Sequence, residues 1–551
     1  MKENISVRLF RYSVLVLCVL LVAAGVTAVS AQQVRETRFD GFLDAQVPSK
    51  SYPVSLDAGQ VLLVVTEAID GDLDTVVSVL NPDDALVAQN DDRAENTLDS
   101  ALGYIAAESG PHTVLIERYS GSDSSGHYRL RIVIGDESIL EELNAITRIQ
   151  LSGPALIYES PNFRVHYTLQ GADAAFSMDY VIEVAQAAES AWRAQVDRMG
   201  WPVPPGDGLL GGDSRFDIYI KDLLDAGEEA LGYAVPDSGV GDNPNTEAIE
   251  LDASGSYLVV ENDFGGATTE TATELGLMRT TIEHEFNHAL QFGFDAGDSH
   301  DWMYEATASW IETVTAGKDQ DATGYVVDAF QYPELCFGTV SDPNEGAVQY
   351  GEWPFFQMMV DDLGAESVVR YWENVALYDG WESLEQTLAP DQIAVPDFVA
   401  RYRLKNLARD YGLAPLFGAT VWLENTVDDV GRWTFTGEGI QELGANYFRL
   451  TLPAGNYYAG LVNDGGALQL YAAGVLDGRV DIFSLGRGGE FDRALYDDAY
   501  LMVFNPAYDD DMNDCVYLRY DIDIAPSKTP PGAPAFTFPA TYFEALTSSG
   551  G

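Results

Sequence analysis

Short apolar runs separated by Gly, Asp and Asn turns recur at residues 60–66, 74–80, 85–89, 112–117 and 128–134. Runs of this length between turn residues predict strands, and their spacing predicts a small β-sandwich over 32–140. From about residue 141 the period changes. Residues 162–167 alternate as a strand does, and 178–199 carry apolar positions at helical spacing up to the stop Trp201-Pro202-Val203-Pro204-Pro205-Gly206. Strands are predicted at 216–220 and 256–260. A helix follows, with Leu275, Leu277, Met278, Ile282, Phe286, Ala289, Leu290 and Phe292 as its apolar stripe and Gly293 as its stop. A second helix is predicted over 301–312 with Asp301 as N-cap, and further helices over 353–363, 366–376 and 396–411. Strand-like runs return at 431–437, 447–452, 457–462, 467–472, 480–485, 500–505 and 515–522. The pattern thus predicts a multidomain chain: an N-terminal β-sandwich, a central α+β domain over 141–414 and a C-terminal β-sandwich over 415–525. The Pro-rich tail, 526–551, is expected to be extended and poorly ordered.

Residues 1–31 read differently from the rest. Lys2, Arg8 and Arg11 precede an apolar run over 14–22, and Val29-Ser30-Ala31 offers small residues for cleavage, the pattern of a secretory signal peptide. No other segment approaches a transmembrane length, so the expected mature protein is secreted, extracellular and clear of the membrane. Removing the leader takes the net charge from −57 to −59, with 27 basic against 86 acidic residues. That balance excludes nucleic acid and anionic membranes as partners, since both require a basic footprint. Cys336 and Cys515 remain, either as a disulfide or as two buried thiols. Calcium is an open second cofactor: Asn90-Asp91-Asp92 and the pair Asp72/Asp74 supply oxygen ligands, but they match no fixed loop spacing and fit a solvated turn better.

The first long helix after residue 270 contains His284-Glu285-Phe286-Asn287-His288. At i and i+4 the two imidazoles lie on one helix face and can meet one ion, while Glu285, about 100° around, can reach a water on that ion. Catalytic zinc usually takes a third protein ligand. Glu305 and Glu312 on the next helix point to nearly the same side, about 10 Å apart along the axis, and helical geometry does not choose between them. No G-x-S-x-G elbow supports a serine hydrolase, and a glycosidase would leave the histidines unexplained.

HEFNHALQFGFD followed by WMYEATASWIE resembles the gluzincin zinc metallopeptidases, and most of all a secreted bacterial metalloprotease family typified by a myxobacterial protein. Asn287 stands where that family often has an aromatic, and Phe294 where it often has Tyr. The resemblance implies a zincin-like central domain. It also implies zinc held by His284, His288 and Glu305, with Glu285 as general base for endopeptide hydrolysis of a protein or peptide substrate. Glu312 is then either a more distant partner that orients a ligand or, as favoured here, a solvated residue. The strand before the metal helix is expected to line the cleft and pair with extended substrate. Tyr350 is a candidate oxyanion donor that fits packing better, and His166 and His300 are not placed as ligands. LDAGQVLLVV, GDLDTVVSVLNPDDALVAQNDD and SGHYRLRIV resemble the pre-peptidase C-terminal domain, a jelly-roll-like module of secreted peptidases. A monomer is expected. The competing reading is a non-catalytic adhesion or binding protein with a structural or degenerate zinc site.

Overall fold

The computed structural model describes residues 34–539, apart from 94–96, 120–122, 208–209, 228–229, 270–271, 317–318, 341–346, 414–416, 435–436, 438 and 510–514. The leader and residues 540–551 of the tail lie outside the described residues. The chain opens with β1 (Arg35–Leu43), β2 (Ser49–Leu56), β3 (Val61–Ala68), β4 (Thr75–Leu80), β5 (Leu86–Asn90), β6 (Ala101–Ile105), β7 (Gly110–Arg118) and β8 (Gly126–Gly135). Two layers result, β1-β8-β3-β6 and β2-β7-β4-β5. Leu62, Val64, Leu130 and Ile132 of one pack with Val77, Val79, Val114 and Ile116 of the other. β1 escapes the hydrophobic pattern because all but Gly41 and Leu43 of its nine residues are exposed. Main-chain pairing with β8 along its whole length holds it.

The second layer runs on past β5. After α1 (Leu140–Thr147) come β9 (Leu156–Glu159), β10 (Phe163–Tyr167), α2 (Met178–Trp192), β11 (Phe216–Lys221), β12 (Gly232–Gly241), β13 (Ala253–Glu261) and α3 (Glu274–Phe292). The strands join one nine-stranded sheet, β2-β7-β4-β5-β12-β13-β11-β10-β9. A π-helical turn, Arg193–Arg198, continues α2.

β13 is buried at every position because β11 flanks it on one side and β12 on the other. The expectation that the strand before the metal helix pairs with substrate is therefore corrected: β13 has no free edge, and β12, between β13 and β5, meets β5 only towards its carboxyl-terminal end, at Gly239. β12 reads GYAVPDSGVG, with register shifts at Pro236/Ser238 and Gly239/Gly241, and its Gly, Pro and Asp residues look like turn rather than strand.

Among the described residues seven helices follow: α4 (Trp302–Thr315), α5 (Ala322–Gln331), α6 (Val348–Gly351), α7 (Pro354–Leu363), α8 (Ser367–Val375), α9 (Trp381–Leu388) and α10 (Val395–Ala408). They share a core with α2, α3 and the central strands, dense in rings such as Trp302, Phe337, Phe355 and Tyr402. Asp301 is not the expected cap of α4; its backbone is already helical and its side chain bonds no helix N–H.

The last strands are β14 (Asn425–Val427), β15 (Gly431–Thr434), β16 (Ala445–Leu450), β17 (Asn456–Val462), β18 (Gln469–Leu476), β19 (Arg479–Gly486), β20 (Gly488–Asp492), β21 (Asp498–Phe504), β22 (Asp521–Pro526) and β23 (Phe536–Pro539). They form a six-stranded and a four-stranded layer. The tail departs from expectation. Phe536–Pro539 adds an edge strand to β19, and Phe538 is buried beneath it.

Cys336 and Cys515 form a disulfide across 179 residues that ties the helical region to the C-terminal sheets. The double variant Cys336→Ser/Cys515→Ser is expected to lose about 2–5 kcal/mol of stability, because the bridge closes a long loop in the unfolded chain. Denaturant melts of the two proteins check this.

A second stability prediction concerns the turn between α3 and α4. Asp298 accepts the N–H groups of His300 and Gly380, and burial pushes its carboxyl up to about 7. Burial likewise pushes Asp295 up to about 6. The folded chain thus keeps these protons longer than the unfolded chain does. Their stabilising effect is complete below about pH 4 and is lost as pH rises through 6 to 7. Calorimetry should show a lower Tm at pH 8 than at pH 5, and Asp298→Asn, which mimics the protonated acid, should flatten that fall.

Candidate metal centre and active site

α3 starts at Thr273, whose hydroxyl accepts the N–H of Gly276, and stops at Gly293 as its sequence predicts. Its last turns bury His284 and His288, 7% and 8% exposed. The chain reverses through 293–301, and α4 returns against α3 with Glu305 facing the two rings. Glu305 Oε2 lies 3.0 Å from His284 Nε2 and 3.5 Å from His288 Nε2. Three ligands of a tetrahedral zinc, each roughly 2.0–2.1 Å from the ion, stand about 3.4 Å from one another. The donor set therefore fits one ion of that geometry, and all three donor atoms fall within 4.8 Å of one another.

The opposite ring nitrogens are committed elsewhere, which aims both Nε2 atoms inward. His284 Nδ1 donates to Glu312 Oε1 at 2.8 Å, and His288 Nδ1 donates to Gln291 Oε1 at 2.7 Å. Glu312 is 3% exposed, so its reading as a solvated residue is corrected. The ring of His284 lies between the two glutamates of α4 and offers one nitrogen to each.

Gln291 is itself fixed. Its amide donates to Asn287 Oδ1 and to the Tyr304 carbonyl, and Asn287 donates to Gln195 Oε1 in the π-helical turn after α2. Asn287, in the place of a commonly aromatic residue, thus belongs to a buried amide chain that ends on His288. Sequence reasoning missed Gln195 and Gln291. The spacing of Gln291, one turn beyond His288 on the same face, was a usable signal; nothing local marks Gln195.

Burial raises the Glu285 carboxyl, the two histidines oppose that rise, Glu305 adds to it, and a hydrogen bond from the Ala234 N–H opposes it. For Glu305, burial is outweighed by the charge of His288 and by hydrogen bonds from both rings, which hold it well below the usual carboxylate range. Burial pushes Glu312 well up despite its bond to His284. On His284 burial disfavours charge, yet the bonds to Glu305 and Glu312 prevail and raise it.

Tyr350, on α6, stacks over His284 with ring centroids 5.9 Å apart and an interplanar angle of 23°. Burial raises its hydroxyl, and the neighbouring charges of Glu305 and Glu285 add to that. His166 and His300 lie elsewhere: His166 bonds Asp217 and stacks on Tyr219, while His300 packs edge-on against Trp381. The acidic residues weighed for calcium form no converging ligand group among the described residues. There the one set of converging donors free to ligate an ion is His284/His288/Glu305, since the sulfurs beside Glu442 are tied up in the Cys336–Cys515 disulfide. No described helix is long and apolar enough to cross a membrane.

No family model matches the chain, and no curated protein matches it. Solved structures similar to it include metallopeptidases. An aminopeptidase N family protein from Idiomarina loihiensis shares 11% identity over 87% of this chain and 95% of that one, with a TM-score of 0.29. A metallopeptidase from Bacteroides thetaiotaomicron shares 9% over 66% and 60%, with a TM-score of 0.24. The pre-peptidase C-terminal domain of a Bacillus anthracis collagenase shares 14% over 18% of this chain and 88% of its own, with a TM-score of 0.15. Scores this low leave the functional reading to the chain's own geometry.

Proposed function

We propose that the protein is a secreted zinc-dependent endopeptidase acting on protein or peptide substrates, with His284, His288 and Glu305 as metal ligands. One observation carries this reading: two buried imidazole nitrogens and a carboxylate oxygen from adjacent helices converge within 4.8 Å of one another, beside Glu285 and the amino-terminal end of β12. When bound, zinc lowers the pKa of a water towards 7 and polarises the scissile carbonyl. Glu285 takes the proton of the attacking water and passes it to the leaving amine. Tyr350, whose ring stacks over His284, is the candidate to donate a hydrogen bond to the carbonyl oxygen as charge develops on it. The peptide lies extended along β12, whose main chain recognises any sequence. A binding module with a structural ion accounts for the ligands but has no use for Glu285. The test is hydrolysis of casein by the purified protein with and without a zinc chelator. Full activity in the chelator would remove zinc from the account.

The two glutamates of α4 are assigned different tasks, and a paired experiment separates them. Glu305→Ala is expected to lose zinc. Glu312→Ala is expected to keep it with affinity about 10–100-fold weaker, because His284 loses the acceptor that orients its ring. Competition titration against a zinc indicator reads both, and the reverse pattern would make Glu312 the ligand.

A further inference from the structure

β12 is the edge on which the proposed substrate would lie, but its outer flank is not open along its whole length. β5 of the N-terminal layers lies on that same flank, opposite β13, with Gln89 paired to Gly239. A side chain at Gly241 would meet Leu86, so β5 covers the carboxyl-terminal end of β12. Just before this, Asn90 Nδ2 donates to the Asp237 carbonyl at 3.3 Å, and Pro236 has no N–H to offer. The catalytic end is fixed by Gly232, which lies against the Glu285 side chain. Between Ala234 and the covered stretch stand Val235 and Pro236, and Asp237, whose carbonyl Asn90 already takes, is the third residue along. At about 3.4 Å per residue this is roughly 10 Å of ladder.

We infer that β5 is a wall across the substrate groove, so that substrate pairs with the sheet over only about three residues on the amino side of the scissile bond. The side follows from strand direction. β5 runs antiparallel to β12 and points towards Glu285. A substrate in the more stable antiparallel ladder continues that direction, and its amino-terminal part meets the end of β5. The opposite orientation would bring a free carboxyl terminus against Asp91 and Asp92, which follow β5 directly. The N-terminal sandwich therefore sets specificity: amino-side positions beyond the third leave the groove, and short or unfolded chains are the substrates.

This inference rests on the peptidase reading, and the experiment separates the two. The full chain is given two series of quenched fluorescent peptides around one cleaved sequence, one lengthened on the amino side and one on the carboxyl side. On the amino side kcat/KM is expected to rise with each residue up to about the third and then to stay level or fall. A second arm uses Asn90→Trp, which thickens the wall without touching Glu285 or the ligands. It should lower kcat/KM at least fivefold for peptides with three amino-side residues and leave those with one unchanged. Steady gain beyond five amino-side residues, a plateau on the carboxyl side instead, or an Asn90→Trp effect independent of length would overturn the wall. Failure to cleave any peptide, with zinc bound, would instead overturn the peptidase reading.

Discussion

His284→Ala and His288→Ala are each expected to abolish tight zinc binding and all measurable hydrolysis. Each variant leaves two protein ligands, one imidazole and the Glu305 carboxylate, where a catalytic zinc site takes three. We expect zinc affinity to fall by roughly a thousandfold or more, at least about 4 kcal/mol. The two variants should differ in stability. Removing His284 strands the buried Glu312 carboxylate, whereas removing His288 strands the amide of Gln291, which keeps Asn287 and the Tyr304 carbonyl as partners. An unpaired buried acid costs more than an unpaired amide oxygen, so His284→Ala should melt lower. Metal content by mass spectrometry and melting curves read both effects. Full zinc occupancy in either folded variant contradicts the ligand assignment.

Glu285→Gln is expected to keep zinc and lose turnover. The amide keeps the length and shape of the side chain, so the site stays assembled, but it cannot take a proton from water. General-base catalysis contributes about 10²–10⁴-fold, and kcat should fall by that factor with KM little changed. Loss of zinc together with activity would assign Glu285 a structural role. Undiminished activity would require another base.

The proposed ligand set was legible because the helical period itself brings His284 and His288 onto one face, and the second helix carries acids on one side. The sequence left the division of labour between Glu305 and Glu312 open, since a seven-residue spacing puts both on that side. The choice depends on where the His284 ring sits, and an imidazole with two usable nitrogens engages both. Strands that bury alternate or continuous apolar residues, such as β3, β8 and β13, were also readable. β1 and β12 were not, because pairing through main-chain groups leaves no side-chain signature and the Gly and Pro of β12 imitate a turn. The join between β5 and β12 is hidden for the same reason. Gln195 reaches Asn287 across 92 residues, a contact that no local pattern announces.

Stoichiometric reconstitution tests the central claim most directly. Protein stripped by a chelator and then titrated with zinc should regain casein hydrolysis in proportion to added metal, up to one equivalent per chain and no further, while Glu305→Ala titrated in parallel stays inactive. Activity that survives stripping, or that Glu305→Ala regains with the same stoichiometry, would contradict a peptidase built on His284, His288 and Glu305.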